Sequence, residues 1–278
     1  MDRRDALEEI AAQARRGELV FPTSVTAALR IRQALDAPNC ALDEAARLIE
    51  TEPLLSARVV ALANCAAFNR AGQPITGVRN AVLRLGFRTV HTVAHALIAR
   101  QLAGEPKLPL HRDLAAQLWQ HTTLVAALAR VLARRVTRLD PDTALFTALI
   151  HEVRGFYLIS RADEFPEVLG GDPREDDEPL EIEIGHAVLD QLAVPESVRE
   201  AIATVWEGYL AIPPATLGDT VLLAKRTAPV GSPLFEPRGL DEGAFAAAIE
   251  LQIEDGTLSD ILETSADEID SLSDALRF

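Results

Sequence analysis

Six histidines hold most of the catalytic potential of this 278-residue sequence, and two of them stand out by their surroundings. His121 lies early in one long helical stretch, within LWQHTTLVAALARVLARR. His151 is followed directly by Glu152 in ALIHEVRG, midway along the next. Antiparallel packing of the two stretches would bring both imidazoles and the carboxylate together. Imidazole and carboxylate on facing helices are how bundles hold divalent ions that polarise a phosphate ester and activate water. The apolar setting strengthens the signal, because an unpaired carboxylate there would be costly. No P-loop, dinucleotide fingerprint, nucleophile elbow, zinc ribbon or HExxH occurs.

The remaining candidates have plainer readings beside the chemical one. His91 and His95 stand at i and i+4, a spacing that can clip zinc, but no cysteine, aspartate or third histidine lies nearby in sequence. A structural role, or a place at a helix seam, is therefore expected for both. Arg84, Arg88 and Arg100 could grip a phosphate-bearing ligand or simply solvate a helix face. Trp119 and Trp206 lie in no basic, aromatic-interleaved stretch and read as core rather than base-stacking residues. Cys40 and Cys65 fit no metal or redox spacing and imply a reducing compartment.

The elements that must position these residues are helices. Apolar residues recur with helical period almost throughout, alternating patterns are absent, and aromatics are only 5%. The periodicity predicts helices over about 2–16, 24–35, 43–49, 53–68, 76–86, 89–102, 111–136, 141–161, 180–192, 195–208 and up to 226. Ser24 and Asp43 are plausible caps, Pro53 a first-turn proline, and Gly17 and Gly86 stops. Residues 172–178, DPREDDE, read as a hydrophilic loop, and the tail after Pro237 as acidic packing helices. No internal repeat or low-complexity tract is present.

Composition narrows the function. The hydrophobic share of 48% and charged share of 25% are those of a globular chain. No segment is apolar enough to span a membrane, and the N-terminus lacks the h-region of a signal peptide, so a cytoplasmic protein is expected. The net charge of −15 is uneven: residues 1–136 carry 18 Lys and Arg against 12 Asp and Glu, while the rest carry 9 against 30. Such a chain repels duplex nucleic acid overall, although its basic front half could meet an anionic ligand or acidic partner. Opposite charges that merely solvate or attract the two halves are the plainer explanation.

Several phrases taken in order resemble the HDOD domains, the HD-related output domains of bacterial signalling. They are FPTSVTAALRIRQAL, LDEAARLIETEPLLSARVVALANCAAFN and GQPITGVRNAVLRLGFRTVHTVAHALIARQL, then LWQHTTLVAALARVLARR, ALFTALIHEVRGFYLI and EIGHAVLDQLAVPESVREAI. The resemblance covers about residues 10–227. It implies an all-α fold with a helical subdomain over 1–105, an HD-like bundle over 106–230 and an acidic helical extension over 231–278. It also implies a regulatory or scaffolding role, in which the phosphohydrolase site is commonly incomplete.

Carried over by position, His121 and His151 match the HD superfamily's metal histidines, and Glu152 stands where that superfamily has aspartate. Its last aspartate lies in a helix like VVxxADxxA; here VLLAKRTA places Lys225 there. Asp219 is nearly two turns upstream and a doubtful substitute. Glutamate can still ligate, but a charged ammonium cannot, and it repels a divalent cation. The expectation is that Lys225 pairs with Glu152 in a vestigial site without metal or other cofactor. His186 matches a histidine often found in HD-like bundles, where it lines the old cleft or packs in the core. The function implied is a signalling module that catalyses nothing and binds another signalling protein, or an anionic small molecule. The alternative is a phosphohydrolase holding iron or manganese through His121, His151, Glu152 and Asp219, acting on a phosphate ester or nucleotide.

Overall fold

The computed structural model describes residues 2–277 apart from 36, 38–39, 70–71, 171–176 and 236–256. Among these residues there are helices and no strands, as the periodicity predicts. The front of the chain forms α1 (Arg3–Arg15), α2 (Thr23–Leu35), α3 (Leu42–Glu50), α4 (Pro53–Asn64) and α5 (Val78–Leu102). A bundle follows: α6 (Pro109–Leu132), α7 (Pro141–Ile150), α8 (Val153–Arg161), α9 (Glu178–Gln191), α10 (Glu196–Glu207) and α11 (Leu217–Thr227). Two C-terminal helices, α12 (Leu258–Thr264) and α13 (Ala266–Leu276), complete the described chain.

Local chemistry explains most boundaries. Pro53 and Pro141 occupy first turns, where a missing N–H costs nothing, and the Asp140 carboxylate accepts from Thr143 N. Gly86 breaks α5 with φ 76°, ψ 159°. A Cβ there would meet nothing, so the demand for glycine is conformational rather than steric. Two expectations need correction. Asp43 does not cap α3: the helix starts one residue earlier behind Ala41, and Asp43 instead binds Arg79 Nε at 2.6 Å. Asp177, read as part of a solvated loop, is buried and paired with Arg3 at 3.2 Å, because α1 packs on α9. Capping by Ser24 and most of the 172–178 loop lie outside the described residues.

One continuous core joins the front helices to the bundle. α6 and α7 pair closely, α5 lies against α7 and α8, and α13 fills the groove between α4 and α6. Phe21 meets the buried Tyr157 edge to face at 5.9 Å, and Arg161 reaches Gln13 at 3.1 Å. Trp119 fills the core as expected, its indole N–H donating to Leu276 O at 3.2 Å. No described helix is long and apolar enough to cross a membrane. Both cysteines are free, Cys65 buried and Cys40 half-buried.

Candidate functional site

The stretch expected as one helix over 141–161 is interrupted at the very residues that carry the chemistry. α7 ends at Ile150, and Glu152 departs from helical geometry at φ −96°, ψ 16° before α8 begins. The break releases the His151 carbonyl from the helical ladder, and Trp206 Nε1 donates to it at 2.8 Å. Its effect is to direct the adjacent side chains of His151 and Glu152 to one point. There they meet His121 from α6 and Lys225 from α11. His121 Nε2 and His151 Nε2 lie 3.7 and 3.4 Å from Glu152 Oε1, and Lys225 Nζ lies 2.7 Å from the same oxygen. His121 and His151 are fully buried, Glu152 is 1% exposed and Lys225 7%.

The proton inventory follows from the partners. His121 Nδ1 is 2.7 Å from Val230 O and His151 Nδ1 is 2.6 Å from Ala148 O. A carbonyl only accepts, so each ring directs an Nδ1 hydrogen at it, and in the neutral form the lone pair is on Nε2. Burial holds His121 down to about 4, with the Lys225 ammonium acting in the same direction against the pull of Glu152. Burial opposes ionisation of Glu152, yet the Lys225 ammonium 2.7 Å from Oε1 holds the carboxyl well below its usual range. Glu152 is therefore a carboxylate in a nearly dry site, with its charge answered by one lysine.

Three atoms here are suited to a cation. His121 Nε2, His151 Nε2 and Glu152 Oε2 are buried without a hydrogen-bond partner, and the three residues offer ligand atoms within 4.8 Å of one another. In donor type the set fits a divalent metal. In charge it does not. A dication on this carboxylate would compete with the Lys225 ammonium, 2.7 Å from Oε1, for one negative charge, and the two cations would repel each other. The site is built around an ammonium.

Asp219 does not join the group. Its carboxylate accepts from Thr216 Oγ1 at 2.7 Å, Thr216 N at 2.9 Å, Ala215 N at 3.2 Å and Ala211 N at 3.3 Å, closing a capping box at the start of α11. Those bonds commit the side chain to the helix N-terminus, and the clustered ligand atoms are those of His121, His151 and Glu152 without it. His186 is half-buried and edge-on at 5.3 Å to the ring of Trp206, the residue that holds the His151 carbonyl. His91 Nε2 and His95 Nδ1 bond the carbonyls of Leu35 and His91, and no ligand cluster forms around them among the described residues. Arg84 ties Ala63 O to Gln73 O and is structural.

Three supporting features were not foreseen. Trp206 was expected only to fill the core, yet it also holds the His151 carbonyl. Residues 228–235 form a strap over the site, with Val230 O on His121 and Leu234 and Phe235 against Gly155. Two helix-interior glycines admit these groups: a Cβ at Gly155 would lie 3.0–3.1 Å from Leu118, Leu234 and Phe235, and one at Gly185 only 2.5 Å from Trp206. Glycine inside a helical pattern was the signal available in sequence.

The sequence matches the HDOD domain family over residues 21–207, more than half of the chain. The chain belongs to the HDOD domain family. His121, His151 and Glu152 come from the matched HDOD region, whereas Lys225 and the strap lie beyond it. Solved structures share the fold. A "putative metal-dependent phosphohydrolase" from Shewanella amazonensis is 21% identical, with 99% of each chain covered and a TM-score of 0.76. An HDOD domain protein of unknown function from Geobacter sulfurreducens is 23% identical over 96% of this chain and 97% of its own, at 0.64. A "putative signal transduction protein" from Marinobacter aquaeolei is 19% identical over 99% of this chain and 65% of its own, at 0.61. No curated protein sequence matches.

Proposed function

We propose that this HDOD chain is a non-catalytic signal-transduction module that acts by binding, with Lys225 standing in for the metal of a hydrolytic site. One observation carries the reading: Lys225 Nζ lies 2.7 Å from Glu152 Oε1 at a buried position. A fixed ammonium supplies the cation that Glu152 needs and activates no water. Burial supports the same reading, since a phosphate ester has no exposed ligand atom to approach. The description of the Marinobacter protein as a signal transduction protein is in keeping with it. The partner is another signalling protein or a small anion; a net charge of −15 disfavours nucleic acid. Free cysteines suit a reducing, cytoplasmic setting.

The second reading, a metal-dependent phosphohydrolase, rests on the unpartnered Nε2 atoms of His121 and His151. Elemental analysis of the purified, tag-free protein separates the two. A folded protein with iron, manganese and zinc far below one ion per chain, and no turnover of a phosphomonoester, is the expected result. Near-stoichiometric metal, with turnover abolished in His151→Ala, would overturn the non-catalytic reading and establish the hydrolase.

A further inference from the structure

The hydrolase-like cluster is closed, so a ligand that signals through this fold must bind elsewhere. A cavity of about 260 Å³ lies at the seam between the front helices and the bundle. Its walls are Arg32 from α2, Arg88, Thr92 and His95 from α5, Asp142 and Phe146 from the start of α7, and the turn between α9 and α10. We propose that this seam cavity binds a small phosphate monoester and that the ligand clamps the front helices onto the bundle. The proposal rests on the non-catalytic reading, for which it supplies an input.

Charge and shape both point to a dianion. Arg32 and Arg88 approach from different helices, and a guanidinium matches a phosphoryl group with a planar fork of donors. Arg32 is only 6% exposed, and its Nη1 donates to Leu192 O, which fixes the group in place. Arg88 lines the cavity and is 69% exposed; its Nη1 meets Asp140 Oδ2 at 2.6 Å, and a guanidinium has further N–H groups to offer an anion. Asp142 is the acid among the described lining residues, and it faces Arg130 at 3.5 Å on its other side. His95 stacks edge-on against Phe146 at 4.9 Å and makes a firm apolar floor. The volume of about 260 Å³ suits a phosphoryl group with a few carbon atoms.

The seam also explains how binding would be felt. Its walls come from both parts of the chain, so an occupant favours the state in which they are docked. α7 runs from the cavity to Ile150, next to His151, and so joins the two sites by one rigid element.

Inorganic phosphate is the probe, titrated by calorimetry and thermal melting against chloride and acetate at matched ionic strength. Saturable binding of phosphate is expected, with a rise in melting temperature that neither control anion produces. Arg88→Ala and Arg88→Glu, both at an exposed position where folding is not at stake, should weaken binding about tenfold or more. Arg15→Ala, which removes an exposed arginine paired with Glu183 elsewhere, should bind as the parent does. Equal responses to phosphate, acetate and chloride, or Arg88 variants that bind like the parent, would overturn the proposal. Metal analysis of the same preparation keeps the failures apart: a metal-free protein that ignores phosphate loses only the seam site, whereas a metal-loaded one loses the module reading.

Discussion

Replacing Lys225 with methionine removes the ammonium while keeping an unbranched stem of similar length. It leaves Glu152 as a carboxylate that is 1% exposed and whose nearest cation, 2.7 Å away, has gone. Breaking a buried ion pair from one side costs about 3–5 kcal/mol, because the surviving charge is stranded. At roughly 2–4 °C per kcal/mol for a chain of this size, the melting temperature should drop by about 10 °C. Glu152→Gln alone strands the ammonium and should also be costly.

The pair of changes together strands neither. Lys225→Met with Glu152→Gln should therefore lose less than the two single variants summed, by at least about 1 kcal/mol. Urea unfolding at neutral pH, with the denaturant slope checked for constancy, measures all four corners of this cycle. The single Lys225→Met variant carries a second expectation. With the repelling charge removed, Mn²⁺ or Zn²⁺ should raise its melting temperature while leaving the parent unchanged. Strict additivity across the cycle, or a Lys225→Met variant within about 0.5 kcal/mol of the parent, would refute the reasoning.

Other residues give equally direct expectations. Gly185→Ala places a Cβ 2.5 Å from Trp206, so it should cost about 1–3 kcal/mol and shift the tryptophan emission; unaltered emission and stability would refute the close approach. Asp219→Ala should cost about 1–3 kcal/mol by leaving three backbone amides and the Thr216 hydroxyl without their acceptor, and should leave metal content unchanged. His121 is held at about 4 when folded against an ordinary 6.5, so between those values the unfolded chain binds more protons. Its contribution is unaffected above about pH 6.5 and falls away toward pH 4, by about 3 kcal/mol in all, and His121→Gln should flatten that part of the urea-midpoint profile against pH.

Much of the architecture was legible without coordinates because it depends on local periodicity and capping. Apolar spacing gave the helices, Pro53 opened one of them, and Gly86 broke another, since only glycine settles readily at its φ of 76°. The resemblance to HDOD domains brought His121, His151, Glu152 and Lys225 to notice as a group, and the structure brings their side chains together. What stayed hidden was non-local. The break at His151–Glu152 runs against an unbroken helical pattern, and it is stabilised by Trp206, a residue 55 positions away in sequence. Asp219 resembled a ligand by residue type, but its neighbours at Ala211, Ala215 and Thr216 claim its oxygens. Asp177 reads as a loop acid until α1 brings Arg3 against it across 174 residues. Sequence determined which helices this chain forms and which residues carry charge or a lone pair. Only tertiary packing decided which charge meets which, because the energy of a buried carboxylate depends on the cation within 3 Å of it and not on its neighbours along the chain.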